Sequence, residues 1–160
     1  IRVPRADGHY EVWSSQTNPP AYAMSAKQWL LFRITRGLAR ISGHSVGKYL
    51  PQDLNYDLNG FVDFDKGCYT GQEIIARLHY RGQPKRRLSL ITVRSSTQPA
   101  NDERIVDRST RKSIGSVVEV VQNEDVYLCL CEVVTDVASR DVELDGNLAK
   151  TVPFIGKTTE

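Results

Sequence analysis

The sequence predicts an α+β fold, with helices in the first half of the chain and a small antiparallel β-barrel or sandwich in the second. Up to Pro84, two stretches carry apolar residues at helical spacing. After Pro84 the apolar residues alternate with a period of two, and turn sequences such as 122–125 and 145–147 separate the runs. Several short strands without intervening helices are typical of barrels and sandwiches. We therefore expect a boundary near Pro84, with one unit at 1–84 and another at 85–160.

The first unit is expected to open with a hairpin and to continue into a helix. Ile1–Val3 and Tyr10–Trp13 resemble strands on either side of a turn at residues 6–9. A helix follows, with Ser25 as its N-cap, because a serine side chain accepts a backbone hydrogen bond there. Gly37 fits the position after the C-cap, where a left-handed conformation is common. The apolar stripe of this helix consists of Ala26, Trp29, Leu30 and Ile34.

A long segment rich in Gly, Asn and Asp, Leu38–Phe64, separates this helix from a second one. Ordered loops of such length are usually functional. The second helix is predicted to begin with a capping box, in which the side chains of Thr70 and Glu73 each bond to the other's backbone. Gly82 and Pro84 end it. Its apolar face is expected to contain Ile74, Ile75 and Leu78, together with Tyr80.

The second unit contains four predicted strands, Leu88–Val93, Ile114–Val121, Val126–Val134 and Val142–Leu144. Cys129 and Cys131 lie two residues apart, so their side chains share one face of a strand. This spacing differs from the C-x-x-C of zinc and redox sites, and the three cysteines do not form a disulfide framework. We expect a reducing compartment, the cytoplasm or its organelle equivalent.

The charge is unevenly distributed, although the net charge is only +2. Residues 24–52 contain Lys and Arg but no acidic residue, and in 66–87 the only acid among the basic residues is Glu73. Two basic segments that face each other would concentrate anions, whereas each alone is equally typical of a solvated surface. No apolar run approaches the roughly 20 residues of a membrane span. The sequence starts at Ile1 without Met or a signal sequence, so we expect its first residues to lie in the interior of a longer protein.

The segment Lys66–Glu73 is the candidate functional segment. A cysteine next to a helix N-terminus and a lysine tends toward the reactive thiolate, so Cys68 is either such a thiol or a small buried residue. Beyond it, Glu73 and Arg77 can form an ion pair within the helix, or they can line a site with Arg81 for a polar heterocycle or an anionic tail. His9, His44 and His79 show no metal-binding spacing, and no metal site is expected.

The string Lys66-Gly67-Cys68-Tyr69-Thr70-Gly71-Gln72-Glu73 resembles the K-G-C-Y-x-G-Q-E signature of the YgfZ family. The resemblance continues through Ala76-Arg77, Arg81-Gly82 and 85–88. Pro51-Gln52-x-x-Asn55 matches the P-Q-x-x-N element of this family, and Trp29 and Gly37 keep its W-x7-G spacing. The family includes mitochondrial iron–sulfur assembly factors and is related to the aminomethyltransferase of glycine cleavage.

This resemblance implies a three-domain ring whose central channel holds a folate, with tetrahydrofolate as the expected form. It implies a partial aminomethyltransferase-like α/β domain at 1–84, a C-terminal β-barrel at 85–160, a folate contact at Trp29 and a functional thiol at Cys68. Further cofactor-binding residues are expected at Lys66, Tyr69, Gln72, Glu73, Arg77 and Arg81. The N-terminal domain of the family, with another folate-contacting Trp, has no counterpart here, and Leu38-Ala39 replaces the usual Ile-Pro.

The expected function is therefore that of a folate-binding accessory protein for iron–sulfur enzymes and tRNA modification; a non-enzymatic role is favoured, and whether the protein catalyses a reaction is left open. Its expected partners are folate, iron–sulfur enzymes and tRNA-modifying enzymes, with direct tRNA contact left open and no membrane. One alternative is a folate-dependent aminomethyltransferase of glycine cleavage, although those enzymes generally lack a Cys at the motif position. Another is a basic RNA-binding module, although no RNA-recognition motif or helix-turn-helix is visible.

Overall fold

The strands of the second half close into an antiparallel barrel in the computed structural model, which describes residues 2–4, 10–12, 15 and 24–155. The barrel strands are β3 (Arg86–Val93), β4 (Arg104–Asp107), β5 (Ser113–Asn123), β6 (Val126–Val134), β7 (Val142–Leu144) and β8 (Asn147–Val152). Their order around the barrel is β3-β6-β5-β4-β7-β8, and β8 pairs with β3 to close it. The prediction of a barrel and of four of its strands is confirmed, whereas β4 and β8 were not predicted.

The predicted N-terminal hairpin is also present. Strands β1 (Arg2–Pro4) and β2 (Tyr10–Val12) pair antiparallel, with Val3 opposite Glu11. The predicted strand ends at Ile1 and Trp13, and the turn at 6–9, lie outside the described residues.

Helix α1 (Ala26–Thr35) begins and ends as its sequence predicts. The Ser25 hydroxyl accepts a hydrogen bond from the Gln28 backbone at 3.2 Å, and the Gln28 side chain accepts one from the Ser25 backbone at 2.8 Å. Gly37 has φ 68° after the C-cap. The backbone N–H groups of Gly37 and Leu38 donate to Ile34 and Arg33, which satisfies the last carbonyls of the helix.

Two apolar clusters, one on each side of the barrel wall, stabilise the structure. The inner cluster fills the barrel and contains Ile91, Ile105, Val117, Cys129, Cys131, Val133 and Leu144. The outer cluster joins α1 and the segment after it to the outside of the barrel through Ile34, Ala39, Leu54, Leu88, Leu90, Val118, Val121 and Leu130. Strand β6 is buried on both faces, because Cys129 and Cys131 point inward while Leu130 packs in the outer cluster. Residues from both sides of Pro84 share the outer cluster, and the division into 1–84 and 85–160 stays a prediction.

The long segment 38–64 lies against the barrel and contains two short 3₁₀ turns, Gly43–Ser45 and Pro51–Leu54. This agrees with the prediction of an ordered loop. Helix α2 (Gln72–Arg81) follows it and has no buried residue, although its sequence is amphipathic. Neither α1 nor α2, the helices of the described ranges, has the length and apolar character that crossing a membrane requires.

Candidate functional site

The start of α2 differs from the predicted capping box. The N-cap is Gly71, with φ 89° in the left-handed region, and no side chain caps the helix. The side-chain oxygen of Gln72 accepts a hydrogen bond from the Tyr69 backbone at 3.2 Å, and the Gln72 backbone donates to the Tyr69 carbonyl at 3.3 Å. The Thr70–Glu73 box is therefore wrong: the left-handed Gly71 turns the chain so that the helix begins two residues after Thr70.

Cys68 lies on the surface four residues before α2, and its interpretation as a buried structural residue is wrong. Cys129 and Cys131, in contrast, are buried in the barrel. Burial raises the pKa of Cys129 to about 12 and raises the pKa of Cys131 as well. Because the thiolate is the reactive form, the two barrel thiols are inert and Cys68 is the accessible one. The predicted pairing of both barrel cysteines on one strand face is confirmed.

The residues on either side of Cys68 form a small depression with the start of α2. Its volume is about 50 Å³, well below the roughly 300–1,000 Å³ of typical ligand pockets. Its walls include the predicted site residues Lys66, Tyr69 and Gln72, together with Ile75 and Tyr80. The Lys66 side chain is 78% exposed, and its ammonium lies 3.5 Å from the Asp63 carboxylate. Three of the predicted residues thus meet at one place, in a cavity large enough for water only.

A larger depression of about 570 Å³ lies along the exposed face of α2. It is a shallow surface that is largely open to solvent, and the residues that line it all belong to α2: Glu73, Ala76, Arg77, Tyr80 and Arg81. We call this surface the α2 groove. Glu73, Arg77 and Arg81 lie on one face of α2, and the alternative Glu73–Arg77 ion pair is not formed; that the three residues line a ligand site stays a prediction. Within residues 24–155, neither arginine has an ion-pair partner within 4.0 Å.

Three aromatic rings pack together at the second half of α2, two from the helix itself and one from the loop before it. His79 stacks on Phe64, with ring centroids 3.7 Å apart and planes 10° apart. Tyr80 contacts the edges of both, at 6.2 Å from Phe64 and 4.7 Å from His79. The sequence showed no partner for His79 and assigned Tyr80 only to the apolar face of α2, yet Tyr80 is 66% exposed in the α2 groove. The sequence signal that could have identified Tyr80 is its place as an aromatic residue between Arg77 and Arg81.

Trp29 occupies α1 and lines neither depression. Its indole is half-buried and stacks on Phe32, with centroids 5.4 Å apart and planes 14° apart. The guanidinium of Arg36 lies over the other aromatic ring, 4.0 Å from the Phe32 centroid. The structure therefore does not place Trp29 in one cavity with the α2 residues. No group of three or more His, Cys, Asp or Glu that could hold a metal occurs in the described part of the chain.

A sequence comparison with curated proteins identifies relatives of this chain. The chain is 38% identical to the tRNA-modifying protein YgfZ of Buchnera aphidicola (Schizaphis graminum) over 103 residues, 64% of the chain and 28% of that protein. It is 36% identical to the tRNA-modifying protein YgfZ of Escherichia coli SMS-3-5 over 124 residues, 76% of the chain and 36% of that protein. The chain belongs to the YgfZ family. It matches the C-terminal portion and spans about a third of the length of these relatives. No protein-family model matches the chain.

In this YgfZ-family chain, the P-Q-x-x-N element fixes α2 and β3 to the loop before them. The buried Gln52 side chain donates to the Ile75 carbonyl of α2 at 2.8 Å. The buried Asn55, held with φ 57°, donates to the Leu88 carbonyl of β3 at 2.8 Å. Arg87 bonds to the Gln52 carbonyl at 3.0 Å. The N–H groups of both amides are bonded to backbone carbonyls, which favours this one arrangement because a buried unpaired donor is costly, although Gln52 Oε1 and Asn55 Oδ1 have no hydrogen-bond partner among the described residues. This motif therefore ties α2, at Ile75, and the start of β3 to the turn at Pro51–Leu54.

An ion pair between residues far apart in the sequence holds α1 on the barrel. The two terminal nitrogens of Arg33 contact the two carboxylate oxygens of Glu119 at 3.1 and 2.9 Å. A β-bulge in β5 makes this possible, since Val118 has no partner on β6 and both Val118 and Glu119 face outward. Glu119 also accepts a hydrogen bond from the Arg40 backbone at 3.0 Å. This bidentate ion pair thus fixes the position of α1, the helix that carries Trp29.

Proposed function

We propose that this chain is part of a folate-binding accessory protein that supports tRNA modification and the iron–sulfur enzymes involved in it. The observation that carries the proposal is the exposed Cys68 in the Lys66–Glu73 segment, four residues before a helix that carries Arg77 and Arg81. The relatives named as tRNA-modifying proteins support the connection to tRNA. The first unit is, in this proposal, the remainder of an aminomethyltransferase-like domain.

In this proposal, Trp29 provides the aromatic surface for the flat heterocycle of tetrahydrofolate. The ring of Phe32 supports the indole from one side, so the indole is held in place before a ligand binds. Stacking of this kind contributes about 1–3 kcal/mol per ring, by analogy with bases on aromatic side chains. The depression near Cys68, at about 50 Å³, is too small for a heterocycle. We therefore infer that the rest of the pocket comes from the part of the family protein that this chain does not match.

Cys68 acts, in this proposal, as an accessible thiol toward partner proteins. Thiolates are preferred ligands of iron–sulfur clusters and of other soft metal centres. Lys66 adds positive charge near the thiol, although Asp63 offsets part of it. Cys68 is exposed in the described part of the chain, which leaves it accessible to a cluster-carrying enzyme.

Calorimetric titration of the full-length protein with tetrahydrofolate tests the folate part of this proposal. We expect binding by the natural protein and a loss of affinity of about 5–150-fold in Trp29→Ala, from the stacking energy given above. Phe61→Ala is the matched control, because Phe61 is 59% exposed and contacts only Tyr56 among the described rings. Absence of binding, or equal affinities for the natural protein and Trp29→Ala, would show that Trp29 does not hold folate.

A further inference from the structure

The α2 groove combines a fixed aromatic ring with two unneutralised cations. Tyr80 is 66% exposed, yet its contacts with Phe64 and His79 hold its orientation. Arg77 and Arg81 flank it on the same helix face. They are four residues apart, which corresponds to about 6 Å along a helix axis. Such a spacing is comparable to that of neighbouring phosphates on an extended strand.

We propose that the α2 groove binds an unpaired segment of RNA, with one base stacked on Tyr80 and the adjoining phosphates on Arg77 and Arg81. This inference rests on the proposed role in tRNA modification and adds a direct contact with the RNA to it. Single-stranded nucleic acids are bound by this combination of aromatic rings and basic side chains. Unpaired bases expose their faces for stacking, whereas the bases of a duplex do not.

The charges around the groove favour an anionic strand such as RNA over a neutral or basic ligand. Within the described residues, Arg77 and Arg81 have no acidic partner within 4.0 Å, so binding a phosphate breaks no existing ion pair. Lys85 continues the positive charge beyond the end of α2. Glu73 lies at the other end of the groove. Its carboxylate repels phosphate and can accept a hydrogen bond from an amino group of a base, so the strand is expected to run with its phosphates toward Arg81.

Fluorescence anisotropy of a labelled oligouridine strand, titrated with the full-length protein in folate-free buffer, tests this inference. Each neutralised phosphate contributes about −0.7 to the slope of log affinity against log salt. We expect a slope of about −1.4 for the natural protein and about −0.7 for Arg77→Ala. Tyr80→Ala should lose about 10-fold in affinity with an unchanged slope, and Tyr80→Phe should restore binding. Lys112→Ala, an exposed cation before β5, is the matched control and should bind as the natural protein does.

The inference is overturned if the natural protein does not bind the strand, or if Arg77→Ala and Tyr80→Ala bind it like the natural protein. Binding of an RNA duplex with equal affinity would also overturn it, since stacking on Tyr80 requires an unpaired base. The same variants are titrated with tetrahydrofolate in parallel. If Arg77→Ala weakens folate binding and leaves RNA binding unchanged, the groove belongs to the folate site and the present inference is wrong. If folate fails to bind and RNA binds as described, the proposed folate function is wrong and the groove assignment stands.

Discussion

Replacing Glu119 with alanine removes the carboxylate that holds α1 to the barrel. The side chains of Arg33 and Glu119 are only 11% and 15% exposed, and they meet at 2.9 Å. Without Glu119, the Arg33 guanidinium keeps only its bond to the Leu38 carbonyl at 2.8 Å. Removing one partner of a buried ion pair costs about 3–5 kcal/mol. Because both side chains retain some water contact, we expect a loss of about 2–3 kcal/mol in the free energy of unfolding.

Urea unfolding and thermal melting measure this loss. For a domain of this size, each kcal/mol lowers Tm by about 2–4 °C, so Glu119→Ala should melt about 4–12 °C below the natural protein. The matched control is Asp102→Asn, which removes the Lys48–Asp102 pair. That contact is shorter, at 2.6 Å, but its side chains are 45% and 40% exposed, and it should cost less than about 1 kcal/mol.

A double substitution separates the ion pair from the packing. Arg33→Met with Glu119→Leu replaces the pair by apolar side chains, which is often neutral for a buried pair. The double variant should therefore be more stable than Glu119→Ala alone. A Glu119→Ala variant within about 0.5 kcal/mol of the natural protein, the range of ordinary surface substitutions, would refute this reasoning. It would also remove the reason for expecting α1 to hold Trp29 in one place.

Three further predictions concern the cysteines, a close backbone approach and a buried acid. In the folded protein, iodoacetamide should alkylate Cys68 more than about 100-fold faster than the two barrel cysteines, because these react only after local opening. Similar alkylation rates at all three cysteines would contradict the burial of the barrel pair. Gly115→Ala should lose about 2 kcal/mol or more in urea unfolding, since a Cβ there would overlap the Glu132 carbonyl oxygen, whereas a Cβ at Gly67 would meet nothing within 4 Å. Gly67→Ala is therefore the neutral control, and equal stability of the two variants would show that β5 and β6 can separate at no cost. Burial raises the pKa of the Glu132 side chain, so the folded state keeps this proton to higher pH than the unfolded state does. The resulting stability is complete below the unfolded pKa of about 4.3 and is lost as pH rises through the folded pKa. The urea concentration at the midpoint of unfolding should fall less steeply between pH 4 and pH 7 in Glu132→Gln than in the natural protein. Identical slopes in the two proteins would show that this carboxyl does not cause the loss of stability.

The features that local sequence decides were predictable. Ser25 and Gly37 fix the ends of α1 because capping depends on a few neighbouring residues. The alternation of β5 and β6 predicts strands with one inward face, and Cys129 and Cys131 lie there. The exception is the start of α2, where T-x-x-E is present but no box forms. Gly71 offers a left-handed turn that the pattern does not reveal, and it begins the helix later.

The features that depend on distant contacts were not predictable. In β8, Leu148 is 53% exposed while its smaller neighbour Ala149 is buried, so the apolar pattern hides the true inward face. The contact between Arg33 and Glu119 spans 86 positions and depends on a bulge that the sequence does not mark. The lack of buried residues in α2 is a further case, because an amphipathic helix is expected to bury its apolar face.

The most direct measurement of the central claim is the level of thiolated tRNA nucleosides in cells whose only copy of the full-length gene carries Cys68→Ala. Mass spectrometry of digested tRNA gives these levels, with protein amounts matched by immunoblot. Cys68 is exposed and has no role in the barrel, so the variant should fold normally while the thiolated nucleosides fall toward the level of a deletion strain. Natural nucleoside levels in the Cys68→Ala strain, beside reduced levels in the deletion strain, would show that this thiol has no part in the function.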